Sequence, residues 1–100
     1  MKIGWIRRIL VVGAGTMGHS IAMVFAQGGY EVDLVDNRPE ALDKGLRLIR
    51  SNLETLKEVK WIAPRSIPKI LNRIHPSTSL DVGKGADLVI EAIYENRDAK

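Results

Sequence analysis

The sequence contains no cysteine. That absence excludes a disulfide framework, a thiolate metal site and a cysteine nucleophile. Long apolar runs are also missing. Arg, Asp, Glu and Lys interrupt every candidate before the roughly 18 residues that a membrane-spanning helix needs. The first ten residues, MKIGWIRRIL, lack the apolar centre of a secretory signal and lead straight into a strand-like run. A soluble, cytoplasmic protein without a membrane partner is therefore expected. A large charge excess is absent too. Fifteen Lys and Arg against twelve Asp and Glu leave +3, too little to argue for a nucleic-acid partner. No repeat, low-complexity tract or linker divides the chain.

What is present is a globular composition, 45% apolar and 27% charged. One hundred residues are enough to bury about 65% of the surface of the unfolded chain. They make a single domain, residues 1–100, too small for a cleft built between two domains. The basic residues are unevenly spread. Residues 44–73 carry eight Lys or Arg against only Glu54 and Glu58, a segment suited to an anionic small molecule or to solvent alone.

Strand-like and helix-like runs alternate. Ile6 to Val12 is rich in β-branched residues and ends in glycine, which predicts a strand. Thr16 to Gln27 places Met17, Ile21, Val24 and Phe25 at helical spacing, and Gly28-Gly29 ends that run. Tyr30 to Asp36 predicts a second strand. Pro39 suits the first turn of a helix, where its missing N–H costs nothing. From there Leu42, Leu46, Ile49, Leu53 and Leu56 form one apolar stripe about five turns long. Asp43–Arg47 and Arg50–Glu54 are expected as pairs on its wet side. Trp61 to Arg73, with Pro64 and Pro68, predicts a shorter second helix. Ile74-His75 is a short strand, Leu80 to Gly85 a turn or short helix, and Asp87 to Ala92 a further strand. Helices between strands imply a parallel sheet with right-handed crossovers, and strands this apolar are expected to be buried on both faces.

Gly13-Ala14-Gly15-Thr16-Met17-Gly18 fits G-x-G-x-x-G, placed after a predicted strand and at the opening of a predicted helix. Gly13 would make the tight turn, Gly15 would let a pyrophosphate approach the backbone, and Gly18 would let helix and strand pack closely. The free N–H groups at the helix start favour the diphosphate charge. A ligand-free glycine-rich turn would carry the same letters. Asp36 decides between them. It ends the second strand, 18 residues past Gly18, where an acid accepts hydrogen bonds from an adenosine ribose. Its charge favours NAD over NADP. Arg38 keeps a 2′-phosphate reading open, and Asp36 could also serve simply as a turn acid before Asn37-Arg38-Pro39.

The stretch VVGAGTMGHSIAMVFAQGGYEVDLVD resembles the start of the L-3-hydroxyacyl-CoA dehydrogenase family, 3-hydroxybutyryl-CoA dehydrogenases included. Two later features sharpen the resemblance, which runs from about Ile6 to Lys100. A long helical hairpin, Pro39 to Asn72, separates the second and third strands. Asp87-Leu88-Val89-Ile90-Glu91-Ala92-Ile93-Tyr94-Glu95-Asn96 looks like the family's D-L-V-I-E-A-x-x-E-N signature. The implied fold is an α/β, Rossmann-type parallel sheet of order 3-2-1-4, incomplete at its C-terminal end and without the substrate and dimerisation domain. The implied activity is NAD-dependent oxidation of an L-3-hydroxyacyl-CoA to the 3-ketoacyl-CoA in fatty acid metabolism. The front end of a 6-phosphogluconate or 3-hydroxyisobutyrate type of dehydrogenase, or a stand-alone nucleotide-binding module, are the alternatives.

By that resemblance Gly13 to Gly18 would wrap the pyrophosphate and Asp36 would hold the adenine ribose. Ala92 and Ile93 would line the cofactor, with Glu95 and Lys100 beside its nicotinamide half. Read without the resemblance, Glu95-Asn96 is a helix start with a solvated acid. The family's hairpin contributes to the coenzyme A site. Asn52 stands where the family has a serine, a departure, and Lys57 and Lys60 flank its lysine position. His19 and His75 are expected at the surface. The family's catalytic histidine and glutamate belong to later motifs that this sequence does not contain, so no catalytic residue and no metal ligand is assigned. The last strand would leave an open edge, expected either to be covered by Asn96 to Lys100 or to drive self-association.

Overall fold

The structure is a computed structural model that describes residues 5–92. Its eight elements follow the expected alternation. They are β1 (Arg8–Val12), α1 (Thr16–Gln27), β2 (Glu31–Val35), α2 (Pro39–Glu58), α3 (Ser66–Asn72), β3 (Ile74–Ser77), a 3-10 turn (Leu80–Gly83) and β4 (Leu88–Glu91). The four strands form one parallel sheet in the order β3-β2-β1-β4. The first strand is shorter than expected, because Ile6 and Arg7 precede the ladder. β3 is longer: it runs through Pro76 to Ser77. An edge strand tolerates proline, whose missing N–H can face away from the ladder.

Side chains alternate across the sheet, and the two faces differ. Ile9, Val11, Val32, Leu34 and Ile74 point to one side. There they meet Ala22 and Ala26 of α1, Leu42, Ile49 and Leu53 of α2, and Ile67 and Ile70 of α3. The stripe expected on α2 is this face, with Leu46 and Leu56 half-buried at its margins. Handedness explains why all three helices lie on one side. The chain moves from β1 to β2 to β3 in a single direction, so right-handed crossovers place α1, α2 and α3 together. The step from β3 back past β2 and β1 to β4 reverses direction and crosses the other face. That crossover is only the 3-10 turn. It sits so close that a Cβ on Gly83 would fall 2.4 Å from Leu10 Cδ2.

The second face is therefore thinly covered among the described residues. Val89 is 57% exposed and Glu91 is exposed. This corrects the expectation that every strand is buried on both sides: Leu88 and Ile90 of β4 are half-buried against the core on one face, and Val89 and Glu91 are exposed on the other. Asp33 also points to this face yet is only 1% exposed, because Arg8 grips it with two bonds, Nε to Oδ2 at 2.7 Å and Nη2 to Oδ1 at 2.8 Å. β4 is the outer strand among the described residues, and the segment expected to cover its edge, 96–100, lies outside them. On α2 the expected wet-side pairs do not form. Glu54 instead holds Lys57 Nζ at 2.6 Å.

Candidate cofactor site

Reversal of the crossover direction between β1 and β4 opens a crevice at the carboxyl ends of the strands, where ligands bind such sheets. A cleft of about 820 Å³ lies there. Gly13, Gly15, Thr16 and Met17 form one wall, Asp36 and Arg38 another, and Ala92 closes the β4 side.

The glycine turn is built as its spacing predicts, and each glycine differs in why it is one. Gly13 has φ 103, in the left-handed region where a side chain is strained. A Cβ on Gly18 would lie 1.6 Å from the Gly13 carbonyl oxygen, so only glycine fits where α1 crosses the turn. Gly15 is the informative one. Its φ is −71, open to any residue, and a Cβ there would meet nothing within 4 Å. Nothing among the described residues requires glycine at 15. Open space above that Cα leaves the N–H groups at the start of α1 accessible from the cleft, a cradle suited to a diphosphate.

Asp36 fastens this turn. Its Oδ2 accepts the Ala14 N–H at 3.0 Å and its Oδ1 accepts the Arg38 N–H at 2.9 Å. The Arg38 guanidinium lies 3.6 Å from Oδ1, beyond a good hydrogen bond, and remains mostly exposed. An ionised carboxylate offers about four acceptor positions. Two are used, which leaves one on each oxygen for a vicinal pair of hydroxyls. Burial of the group works against its charge. The N–H donors of Ala14 and Arg38, with the Arg38 charge, more than offset it and hold the Asp36 pKa below the ordinary 3.8. The acid is thus both a turn residue and a candidate ribose ligand.

The structure brings Gly13, Gly15, Thr16, Met17, Asp36 and Ala92 together at one cleft. Ala14 and Gly18 do not line it; they hold the turn from behind. Ile93, Glu95 and Lys100 lie outside the described residues. Asn52, Lys57 and Lys60 are not brought to the cleft. Arg38 caps the amino end of α2, and at 1.5 Å per residue these three lie about 20–30 Å further along the hairpin. Asn52 is half-buried, the Lys57 amine is held by Glu54, and Lys60 is exposed at φ 65. Thr78 and Leu80 also line the cleft, unforeseen in the sequence. The signal for them was their place just past the carboxyl end of β3.

Both histidines are informative. His19, expected at the surface, is 6% exposed. It faces the glycine turn at the point where Gly45 lets α2 come close: a Cβ on Gly45 would lie 2.8 Å from the Ala14 oxygen. His75 is half-exposed and its Nε2 lies 2.8 Å from Glu31 Oε1, towards the amino ends of β2 and β3, away from the cleft. The signature acid Asp87 has a structural task. Its Oδ2 accepts the N–H groups of Arg7 at 2.9 Å and Arg8 at 3.1 Å, tying the start of β1 to β4. Those two donors hold the Asp87 pKa below 3.8. No group of three or more His, Asp or Glu among the described residues could hold a metal, and no described helix is long and apolar enough to cross a membrane.

A parallel sheet with a glycine turn, a helix start and a strand-end acid around one crevice defines a Rossmann-type dinucleotide-binding domain. Comparison with known proteins narrows the class. Residues 8–100 match the family described as 3-hydroxyacyl-CoA dehydrogenase, NAD binding domain, and the chain belongs to that family. It is 39% identical over 95 residues to a probable 3-hydroxybutyryl-CoA dehydrogenase of Bacillus subtilis, covering 95% of this chain and 33% of that protein. A similarly described protein of Deinococcus radiodurans is 42% identical over 92 residues, covering 90% of this chain and 32% of its own length. The crystal structure of the (S)-3-hydroxybutyryl-CoA dehydrogenase PaaH1 from Ralstonia eutropha superposes with a TM-score of 0.87 at 40% identity, covering 94% of this chain and 33% of that one. The chain thus spans about a third of the length of these relatives. Its cofactor is NAD, and the 6-phosphogluconate and 3-hydroxyisobutyrate alternatives are set aside.

Proposed function

We propose that this chain forms the NAD-holding part of a dehydrogenase that oxidises L-3-hydroxyacyl-CoA to 3-ketoacyl-CoA. The observation that carries the reading is the bond from the Ala14 N–H to Asp36 Oδ2, which makes the diphosphate cradle and the ribose acid one unit. The N–H groups of the first turn of α1 hold the diphosphate, and the two unused acceptor positions of Asp36 take the ribose hydroxyls. Ala92 borders the cleft at the end of β4, and the family resemblance assigns Ile93, Glu95 and Lys100, which lie outside the described residues, to the nicotinamide half of the cofactor. When bound, the cofactor supplies the acceptor for the hydride that leaves the substrate carbon. The hydroxyl proton needs a base, and neither histidine of the chain serves, since His19 is buried behind the turn and His75 lies away from the cleft. The hairpin residues Asn52, Lys57 and Lys60 grip the coenzyme A portion of the substrate at a distance from the cofactor.

The test is a fluorescence titration with NADH and NADPH beside an absorbance assay with 3-hydroxybutyryl-CoA. Saturable NADH binding, weaker NADPH binding and no turnover are expected. A chain that does not bind NADH overturns the reading. Turnover near the rate of ordinary dehydrogenases overturns the assignment of the proton chemistry to residues other than these.

A further inference from the structure

We infer that His19 is a positioning residue for the dinucleotide, acting through the Gly15 carbonyl. The imidazole Nδ1 lies 2.9 Å from the Gly15 oxygen. A carbonyl oxygen only accepts, so Nδ1 carries the proton. Nε2 lies 3.4 Å from Ser20 Oγ, whose own proton is donated to the Thr16 carbonyl at 3.1 Å. The same Gly15 oxygen also accepts the His19 backbone N–H at 3.0 Å. Two donors from one residue therefore hold one carbonyl.

That carbonyl belongs to the peptide unit that faces the cleft. No described peptide bond is cis, and in a trans peptide the C=O and the next N–H point in opposite directions. Holding the Gly15 C=O against α1 aims the Thr16 N–H the other way, into the cradle. Gly15 itself cannot fix this orientation, since it has no side chain and its Cα faces open space. The turn is rich in glycine, so ordering it costs more entropy than ordering other residues. The chain meets that cost before ligand binds, from two sides. Asp36 fixes the Ala14 N–H from β2, and His19 fixes the Gly15 C=O from α1. A preorganised donor array binds its ligand more tightly than a mobile one. His19 can occupy this place because Gly45 leaves room: a Cβ on Gly45 would lie 3.5 Å from His19 Cβ and 2.8 Å from the Ala14 oxygen. The inference rests on the NAD reading of the cleft and adds to it a residue outside the glycine motif.

The experiment compares three substitutions in the full chain, reading NADH affinity by fluorescence and melting temperature by calorimetry. His19→Leu fills the site with a better helix former and removes the donor. His19→Ala removes the donor with a smaller side chain, in case leucine does not fit. His19→Asn keeps an N–H donor where Nδ1 stands, at a helix propensity close to that of histidine. Each donorless variant is expected to bind NADH roughly 3- to 10-fold more weakly, the range for one neutral hydrogen bond, whatever its melting temperature does. His19→Asn is expected to stay within about 2-fold of the native chain by retaining that bond. Donorless variants that bind NADH as tightly as the native chain overturn the inference, as does a folded His19→Asn chain as weak as the donorless ones. If the native chain binds no NADH, the cofactor reading fails first and this one with it.

Discussion

Replacing Asp36 by alanine separates the two tasks of that residue. The carboxylate has about four acceptor positions, two of them taken by the N–H groups of Ala14 and Arg38. Alanine removes all four. Loss of the two free positions deprives the ribose of charge-assisted bonds, a net effect of about 1–3 kcal/mol. At 1.4 kcal/mol per factor of ten, NADH binding weakens by about 5- to 150-fold. Loss of the other two leaves the Ala14 N–H without its acceptor beside a residue that is itself buried, which costs the fold about 1–3 kcal/mol as well. Affinity alone therefore cannot tell a lost ribose contact from a loosened turn.

Discrimination can. NADH and NADPH share the diphosphate, so a loosened turn weakens both alike. They differ at the 2′ position, where the Asp36 charge repels a phosphate and the exposed Arg38 guanidinium, 3.6 Å from Oδ1, would attract one. Asp36→Ala removes the repulsion and releases the guanidinium. Parallel titrations of both nucleotides should show the NADH preference narrowing, by roughly the share of the NADH loss that belongs to the ribose contact, since the loosened turn cancels from the ratio. A folded variant whose two affinities fall by the same factor would refute the ribose assignment and reduce Asp36 to a fastener of the turn.

Two further outcomes follow from the same geometry. Gly15→Ala should keep the native melting temperature, since its Cβ meets nothing, yet lose most NADH affinity, while Gly18→Ala should fail to fold stably because its Cβ would lie 1.6 Å from the Gly13 oxygen; calorimetry with NADH titration checks both, and normal NADH binding by Gly15→Ala would remove the diphosphate from this cradle. Asp36 and Asp87 have folded pKa values below the ordinary 3.8, so each stabilises the fold above that pH, and the contribution is lost as pH falls below it towards the folded values. Urea unfolding across pH 2–6 should show this acid limb, shallower in Asp36→Asn and Asp87→Asn, and an unchanged limb in both variants would count against the bonds assigned to them.

The parts of this molecule legible in its sequence are those fixed by local rules. Glycine spacing, the proline at the start of α2, the apolar stripe of that helix and the β-branched runs each report on a few neighbouring residues. The order β3-β2-β1-β4 is implied by the family resemblance, and crossover handedness then sets the three helices on one face and a crevice at the turn before α1. What stayed hidden depends on residues far apart in sequence. Asp33 reads as one polar position in an alternating strand; only the pairing of β2 with β1 puts Arg8 within reach of it. Asp87 reads as a signature letter, yet its task is set by the N–H groups of Arg7 and Arg8, about eighty residues earlier. Exposure of Val89 follows from the crossover before β4 being a short turn instead of a helix.

His19 shows the same limit from the other side. Helical spacing places it one residue past the glycine motif, with no local reason to be buried. Its burial comes from α2, and from Gly45 in particular, which brings α2 against the Ala14 carbonyl. Gly45 in turn had no visible purpose in the sequence, being a poor residue for the interior of a long helix. The helix propensity lost at 45 is offset by a close approach that closes the back of the cradle. The motif Gly13 to Gly18 therefore does not act alone. Its front, where we propose the diphosphate sits, is open because Gly15 is bare, and its back is held by three residues outside it: Asp36 just past β2, His19 from α1 and Gly45 from α2.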